Sequence, residues 1–239
     1  MNNVHCLIVN INNLAYTKQL VSDLLYQDAP FKLTIYDNGS TEPGTEAYYE
    51  EIRKMFGFKI VLGTGNTPLN HLWNWFAKET GDELLCFLNN DIEITSNFIS
   101  DTLKVFEKEE TVGAVVHTTN LEKYSKKTGL SYVCQTGIKQ GWDFTVRKNL
   151  YVSIPEDIEW FCGDDWIFQQ VYMRDLCTAI LTSSPIIHYQ GKSGGNLKSI
   201  KHQLDADVER YQSHGYKWEL VGNDKFSAFS FPGKYQLEK

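Results

Sequence analysis

The 239 residues carry 23 Lys and Arg against 30 Asp and Glu, a net charge of −7, with 42% hydrophobic and 22% charged residues. That balance describes an ordinary globular chain able to bury a full core, and it weighs against a protein built mainly to coat nucleic acid. No apolar stretch approaches the roughly 20 residues of a membrane span, and Met1 to His5 lack the basic region of a secretion signal. The five cysteines, Cys6, Cys86, Cys134, Cys162 and Cys177, form no Cys-x-x-Cys pair. The expectation is free, buried thiols in a cytoplasmic protein.

In chain order, residues 4–11 read as a buried strand, and Leu20, Val21, Leu24 and Leu25 then recur at helical spacing. Residues 32–36 read as a second strand that ends at Asp37-Asn38-Gly39-Ser40. A helix over residues 44–56 stops at Gly57, a C-cap candidate. Residues 58–62 form a third strand. Thr67 and Pro68 then suit the start of a helix with Leu69, Leu72, Trp73, Phe76 and Ala77 on its apolar face. Residues 83–88 read as a strand ending at Asn89-Asn90-Asp91. Ser96 is placed to cap the next helix, and residues 112–116 form a fifth strand.

The second half is less regular, with strands expected at 131–137, 144–153 and 179–181. Helices are expected at 165–175 and around Ile200, Leu204, Val208 and Tyr211. Alternating strands and helices over the first half imply an α/β fold, a mostly parallel sheet with helices on both faces. One domain is expected over 1–239, with a nucleotide-binding half at 1–117 and an acceptor-facing half at 118–239.

Open parallel sheets bind ligands at the carboxyl ends of their strands. The polar residues there are Asn10 and Asn12, Asp37, and Asn89-Asn90-Asp91. A dinucleotide site needs Gly-x-Gly-x-x-Gly after the first strand, and that turn, Asn10 to Ala15, contains no glycine. The phosphate-loop motif is absent as well. A divalent cation is the natural substitute for holding phosphates, and Asp91 can supply a carboxylate to Mg²⁺ or Mn²⁺. Asp37 could meet a ribose hydroxyl or a base N–H. Both acids also fit simple strand-end turns.

Gly163-Asp164-Asp165-Trp166 sets two acids in an aromatic context, which suits a general base or a helix N-terminus. His188, before a Gly-rich loop with Lys192, suits a metal ligand or a structural histidine. Lys123, Lys126, Lys127, Arg147 and Lys148 suit a solvated surface or a phosphate-bearing acceptor. Trp142, Trp160 and Trp166 could stack on a sugar or base, or merely pack.

The order of these elements resembles the family 2-like glycosyltransferases of the GT-A fold. The matching segments are Asp37-Asn38-Gly39-Ser40, the run from Gly65 to Asn74 with Asn66, Asn70 and Asn74, Leu88-Asn89-Asn90-Asp91, Gly163-Asp164-Asp165-Trp166, and His188. The resemblance implies transfer of a sugar from a UDP- or dTDP-type donor to an acceptor hydroxyl, with inversion and with Mn²⁺ or Mg²⁺. Asp37 would contact the nucleoside, Asn89 and Asp91 would occupy the metal-binding position, and His188 would complete it. Asp165 would be the general base. Asp164 stands where the family often has Glu, which leaves open which acid takes the proton. The expected substrate-binding set is Asn10, Asn12, Asp37, Asn66, Asn70, Asn74, Asn89, Trp166 and Lys192. A glycan, a lipid-linked sugar or a modified DNA base stays open as acceptor. A nucleotidyltransferase, a sugar-nucleotide hydrolase and a non-catalytic nucleotide-binding module are the competing readings.

Overall fold

Strand β1 (Val4–Asn10) alternates its side chains between two buried layers, so nearly every position is apolar. Cys6 and Ile8 face one layer and Leu7 the other, as expected of a central strand covered on both sides. The computed structural model describes residues 3–119, 129–137, 140–189 and 197–217. The elements that follow β1 are α1 (Leu14–Leu25), β2 (Lys32–Asp37), α2 (Thr45–Phe56), β3 (Lys59–Leu62) and α3 (Leu69–Glu79). Then come β4 (Leu84–Asn89), the two-residue β5 (Ile92–Glu93), α4 (Phe98–Lys108), β6 (Val112–His117), β7 (Tyr132–Gln135) and β8 (Asp143–Arg147). A 3₁₀ turn (Lys148–Leu150) leads on to α5 (Gly163–Tyr172), β9 (Cys177–Leu181), β10 (Ile187–His188) and α6 (Leu197–Ser213).

The main sheet has the order β3-β2-β1-β4-β8-β6-β9-β7. Helices α1, α2 and α4 pack on one face through Leu20, Leu24, Tyr49, Ile52, Phe98 and Val105. Helices α3, α5 and α6 pack on the other through Trp73, Phe76, Phe168, Val171 and Tyr211. The half up to β4 is parallel. Strand β8 then inserts antiparallel between β4 and β6, and β7 closes the far edge antiparallel to β9. The sheet is thus mixed, with β1, β2, β3 and β4 parallel in its first half and β6 and β9 parallel in its second. Strands β2 and β4 flank β1 on opposite sides, so the winding reverses there. That reversal opens a crevice at the carboxyl ends of β1 and β4.

Several sequence expectations change in detail. Gly57 does cap α2, at φ 69° with its N–H on the Arg53 carbonyl. Thr67 and Ser96 cap nothing: α3 starts after Pro68, and the Thr67 N–H donates to Asn38 Oδ1 at 2.8 Å. Asn97 takes the position before α4, its amide turned onto Asp101. The strand expected at 144–153 stops at Arg147, because the chain turns to run beside α3. Cys6, Cys86 and Cys162 are buried thiols, whereas Cys134 is exposed and Cys177 half-buried. Cys134 lies on the edge strand β7, and Cys177 opens its neighbour β9.

Candidate active site

Asn10 closes β1 and is fully buried. Its Oδ1 accepts from Thr17 Oγ1 (2.6 Å) and from Asn90 Nδ2 (2.7 Å). Its Nδ2 donates to the Tyr49 hydroxyl (2.8 Å), Ser40 Oγ (3.2 Å) and Asp37 Oδ2 (3.3 Å). One amide thus ties together the ends of β1, β2 and β4. Asp37 accepts from the backbone N–H of Gly39 (3.1 Å) and Ser40 (2.7 Å), and from the Tyr49 hydroxyl (2.9 Å). With Asn10 that fills the roughly four acceptor positions of a carboxylate. Asp37 therefore shapes the turn after β2. Burial and the Asp37 charge together push the Tyr49 phenol far above its ordinary value, so it stays a donor.

Asn12 and Asn13 both adopt left-handed backbone, at φ 56° and 53°, which Asn tolerates better than most residues. The Asn12 side chain accepts from the N–H groups of Thr41 and Glu42 at 2.9 and 3.1 Å. Asn66 Oδ1 accepts from Asn38 Nδ2 at 3.3 Å. These contacts draw the loops after β1, β2 and β3 into one rim.

Asp91 follows β4 and is 1% exposed. Neither of its carboxylate oxygens accepts a hydrogen bond among the described residues. The short β5–β10 ladder pairs Ile92 with His188 and so brings His188 Nε2 to 3.5 Å from Asp91 Oδ1. His188 Nδ1 is also buried without a hydrogen-bond partner. The ring stacks on Trp142, with centroids 5.0 Å apart and planes 21° apart. Trp142 itself is anchored by the Asn89 N–H on its carbonyl (2.9 Å). Buried polar atoms normally find partners, and a buried carboxylate beside an imidazole, both lacking donors, suits a divalent cation. Among the described residues no group of three or more His, Cys, Asp or Glu could hold a metal. The pair would need oxygens from a ligand to complete a coordination shell.

The acid pair opens α5. Asp165 is 3% exposed and Asp164 half-buried. Asp164 lies against Gly141, where an added Cβ would stand 3.1 Å from its Oδ2. Gly141 directly precedes Trp142, so the acid pair and the Asp91–His188 pair flank one short segment. Trp166 packs edge-on against His214 and Tyr216, at 5.7 and 5.1 Å.

Two expected substrate contacts have other partners. Asn70 Nδ2 donates to the carbonyls of Ile158 and Phe161, each at 3.0 Å. Asn74 bonds the Ile154 N–H and carbonyl and the Tyr151 hydroxyl. Both brace α3 against the segment before α5. Arg147 turns its guanidinium to the carbonyls of Val112 and Phe106, and Lys148 bonds the Thr80 carbonyl. Arg147 ends β8 where it pairs with Leu84 at the start of β4, and Lys148 follows it, at the end of the sheet opposite the crevice. Lys192, Lys123, Lys126 and Lys127 lie outside the described residues. Sequence reasoning named Asn90 and Ser40 within strand-end segments without giving either a role, and it missed Tyr49 as an organiser of the rim. The polarity of Asn90 directly after an apolar strand was the available signal.

The fold and this crevice define a GT-A glycosyltransferase architecture. Residues 6–174 match the family model described as glycosyl transferase family 2, and the chain belongs to that family. The O-antigen biosynthesis protein RfbC of Myxococcus xanthus is 35% identical over 102 residues, 41% of this chain and 8% of RfbC. The mannosyltransferase PcManGT of Pyrobaculum calidifontis, in complex with GDP-Man and Mn²⁺, aligns with TM-score 0.68 at 15% identity, covering 88% of this chain and 64% of that one. GalNAc-T7 with UDP, GalNAc and Mn²⁺ aligns at 0.66 and 13% identity, covering 88% and 50%. S. aureus TarS 1–349 in complex with UDP aligns at 0.60 and 16%, covering 77% and 59%. The chain therefore spans less than two thirds of the length of each of these relatives. No helix among the described residues is long and apolar enough to cross a membrane.

Proposed function

We propose that this protein transfers a sugar from a nucleoside-diphosphate donor to an acceptor hydroxyl, with Asp91 and His188 holding a divalent cation and Asp165 acting as general base. The observation that carries the reading is the buried Asp91 carboxylate, without a hydrogen-bond donor and 3.5 Å from His188, at the switch point of the sheet. The GalNAc-T7 and PcManGT structures hold Mn²⁺ beside UDP or GDP-Man, which supports Mn²⁺ or Mg²⁺ and a nucleotide-sugar donor here. When bound, the cation supplies positive charge against the leaving diphosphate.

The acceptor oxygen attacks the anomeric carbon from the face opposite the nucleotide. The bond from that carbon to the phosphate oxygen breaks, and the nucleoside diphosphate departs with the electron pair. The acceptor proton passes to Asp165. That acid is almost wholly withdrawn from water, so its proton comes from a bound hydroxyl rather than from solvent. Asp164, half-buried beside Gly141, orients the acceptor. The rim built by Asn10, Asn12, Asp37 and Asn66 receives the nucleoside, and Asn89 closes β4 beside that rim's Asn90.

Calorimetry of UDP with Mn²⁺ tests the donor half. Asp91→Ala is expected to abolish Mn²⁺-dependent binding, and Asp165→Asn to leave it within about twofold while lowering turnover by about 10²- to 10⁴-fold. Full turnover by Asp165→Asn, with loss in Asp164→Asn, would move the base to Asp164. Release of sugar 1-phosphate in place of UDP from a UDP-sugar would instead mark nucleotidyl transfer.

A further inference from the structure

Asp207 lies on the C-terminal helix α6, yet it is 1% exposed. Its carboxylate accepts three consecutive backbone N–H groups: Glu159 on Oδ1 at 3.1 Å, and Trp160 and Phe161 on Oδ2 at 2.8 and 2.9 Å. Arg210 Nη1 stands 3.0 Å from Oδ1. The same segment is gripped from its other side by α3. Asn70 Nδ2 holds the carbonyls of Ile158 and Phe161, and the Asn70 N–H holds that of Glu159 at 3.0 Å. Donors of residues 159–161 thus go to one helix and carbonyls of 158, 159 and 161 to another.

Immediately after this clamp, Cys162 adopts left-handed backbone at φ 60°. Gly163 then starts α5, so close to α3 that an added Cβ would stand 2.0 Å from Asn70 Oδ1. No slack separates the clamp from Asp164 and Asp165. A left-handed non-glycine residue persists only where its surroundings over-determine it, and here the surroundings are Asp207 and Asn70.

We infer that Asp207 is a positioning residue for sugar transfer: its carboxylate fixes the 159–161 backbone and thereby sets where the acid pair stands over the acceptor. The inference rests on the reading of Asp165 as base. Charge-assisted hydrogen bonds are roughly twice as strong as neutral ones. Asp207→Asn keeps the shape but turns an amide N–H₂ against at least one backbone N–H.

The test follows UDP release from UDP-glucose, UDP-galactose and UDP-N-acetylglucosamine with Mn²⁺, with water taking the place of the acceptor hydroxyl and giving up its proton to Asp165, read on whichever sugar the unaltered protein turns over fastest. Asp207→Asn is expected to lower kcat about 10- to 100-fold, the scale of a small misplacement. The KM for the UDP-sugar and the Mn²⁺ affinity are expected to stay within about twofold. In an Asp165→Asn background the same substitution is expected to cost little more, because its effect runs through Asp165. Equal losses in both backgrounds, or a raised KM at unchanged kcat, would overturn the positioning role and leave the base assignment standing. Full activity of Asp165→Asn would overturn the base assignment, and with it this inference. Absence both of turnover and of Mn²⁺-dependent UDP binding in the unaltered protein would overturn the transferase reading that underlies both. If Asp207→Asn fails to fold, Arg210→Gln frees the carboxylate without removing it. It is then expected to lower kcat about threefold at constant KM, and an unchanged kcat overturns the role.

Discussion

Single atoms decide the tightest place in the molecule. Gly163 is required because α5 begins against Asn70, and the contact has no tolerance. An alanine Cβ would meet Asn70 Oδ1 at 2.0 Å and Cγ at 2.6 Å. A long flexible side chain could swing away, but Asn70 is 1% exposed and committed to two carbonyls. Gly163→Ala is therefore expected to destabilise the fold by about 1–3 kcal/mol, the usual range for overpacking. It also shifts the acid pair, so its activity loss should exceed its stability loss. Urea unfolding beside turnover at a temperature well below the melt checks this. A variant as active as the parent would show that Asn70 yields.

At the scale of elements, a helix end gives a cleaner test, free of packing. Gly57 closes α2 at φ 69°, and an added Cβ would meet nothing within 4 Å. Gly57→Ala then costs only the left-handed backbone penalty, about 1 kcal/mol, which a shift in urea midpoint at constant slope would read. This cap was legible in the sequence because glycine after an apolar-periodic run has a local cause. The first five long strands and four helices were legible for the same reason. Thr67 and Ser96 misled because their cap chemistry was right but the chain starts its helices one residue later than those caps imply, after Pro68 and Asn97. The antiparallel insertion of β8 between β4 and β6 could not be read, since pairing between residues nearly sixty positions apart leaves no local pattern. Asp91 and His188 were legible as strand-end polar residues, and the β5–β10 ladder that joins them was not. Asp207 was hidden more deeply, as an acid on a helix that already had enough charge to look solvated.

Across the whole molecule, the sheet carries its crevice at one end and a partly buried ionic cluster at the other. His5, at the start of β1, bonds Asp82 Oδ2 and Thr80 Oγ1 through Nδ1 and Thr34 Oγ1 through Nε2. Lys32 reaches Asp82 Oδ1 at 2.7 Å. Burial lowers the His5 pKa below its ordinary 6.5 and outweighs the opposing pull of Asp82. Burial alone would raise Asp82, but hydrogen bonds from Lys32, Thr80 and His5 together hold it below 3.8. Both folded values are depressed, so the unfolded chain binds more protons than the folded one below each ordinary value. The His5 contribution is fully present above pH 6.5 and is lost as the pH falls through the lowered folded value, and that of Asp82 follows below 3.8. Urea midpoints are therefore expected to fall between pH 7 and pH 5, and His5→Gln, which cannot titrate, should flatten that slope. A slope unchanged by the substitution would assign the acid sensitivity elsewhere. The cluster ties together the starts of β1, β2 and β4, whereas the crevice lies at their carboxyl ends. Mn²⁺-dependent UDP affinity at pH 7 should accordingly be the same in His5→Gln and the parent.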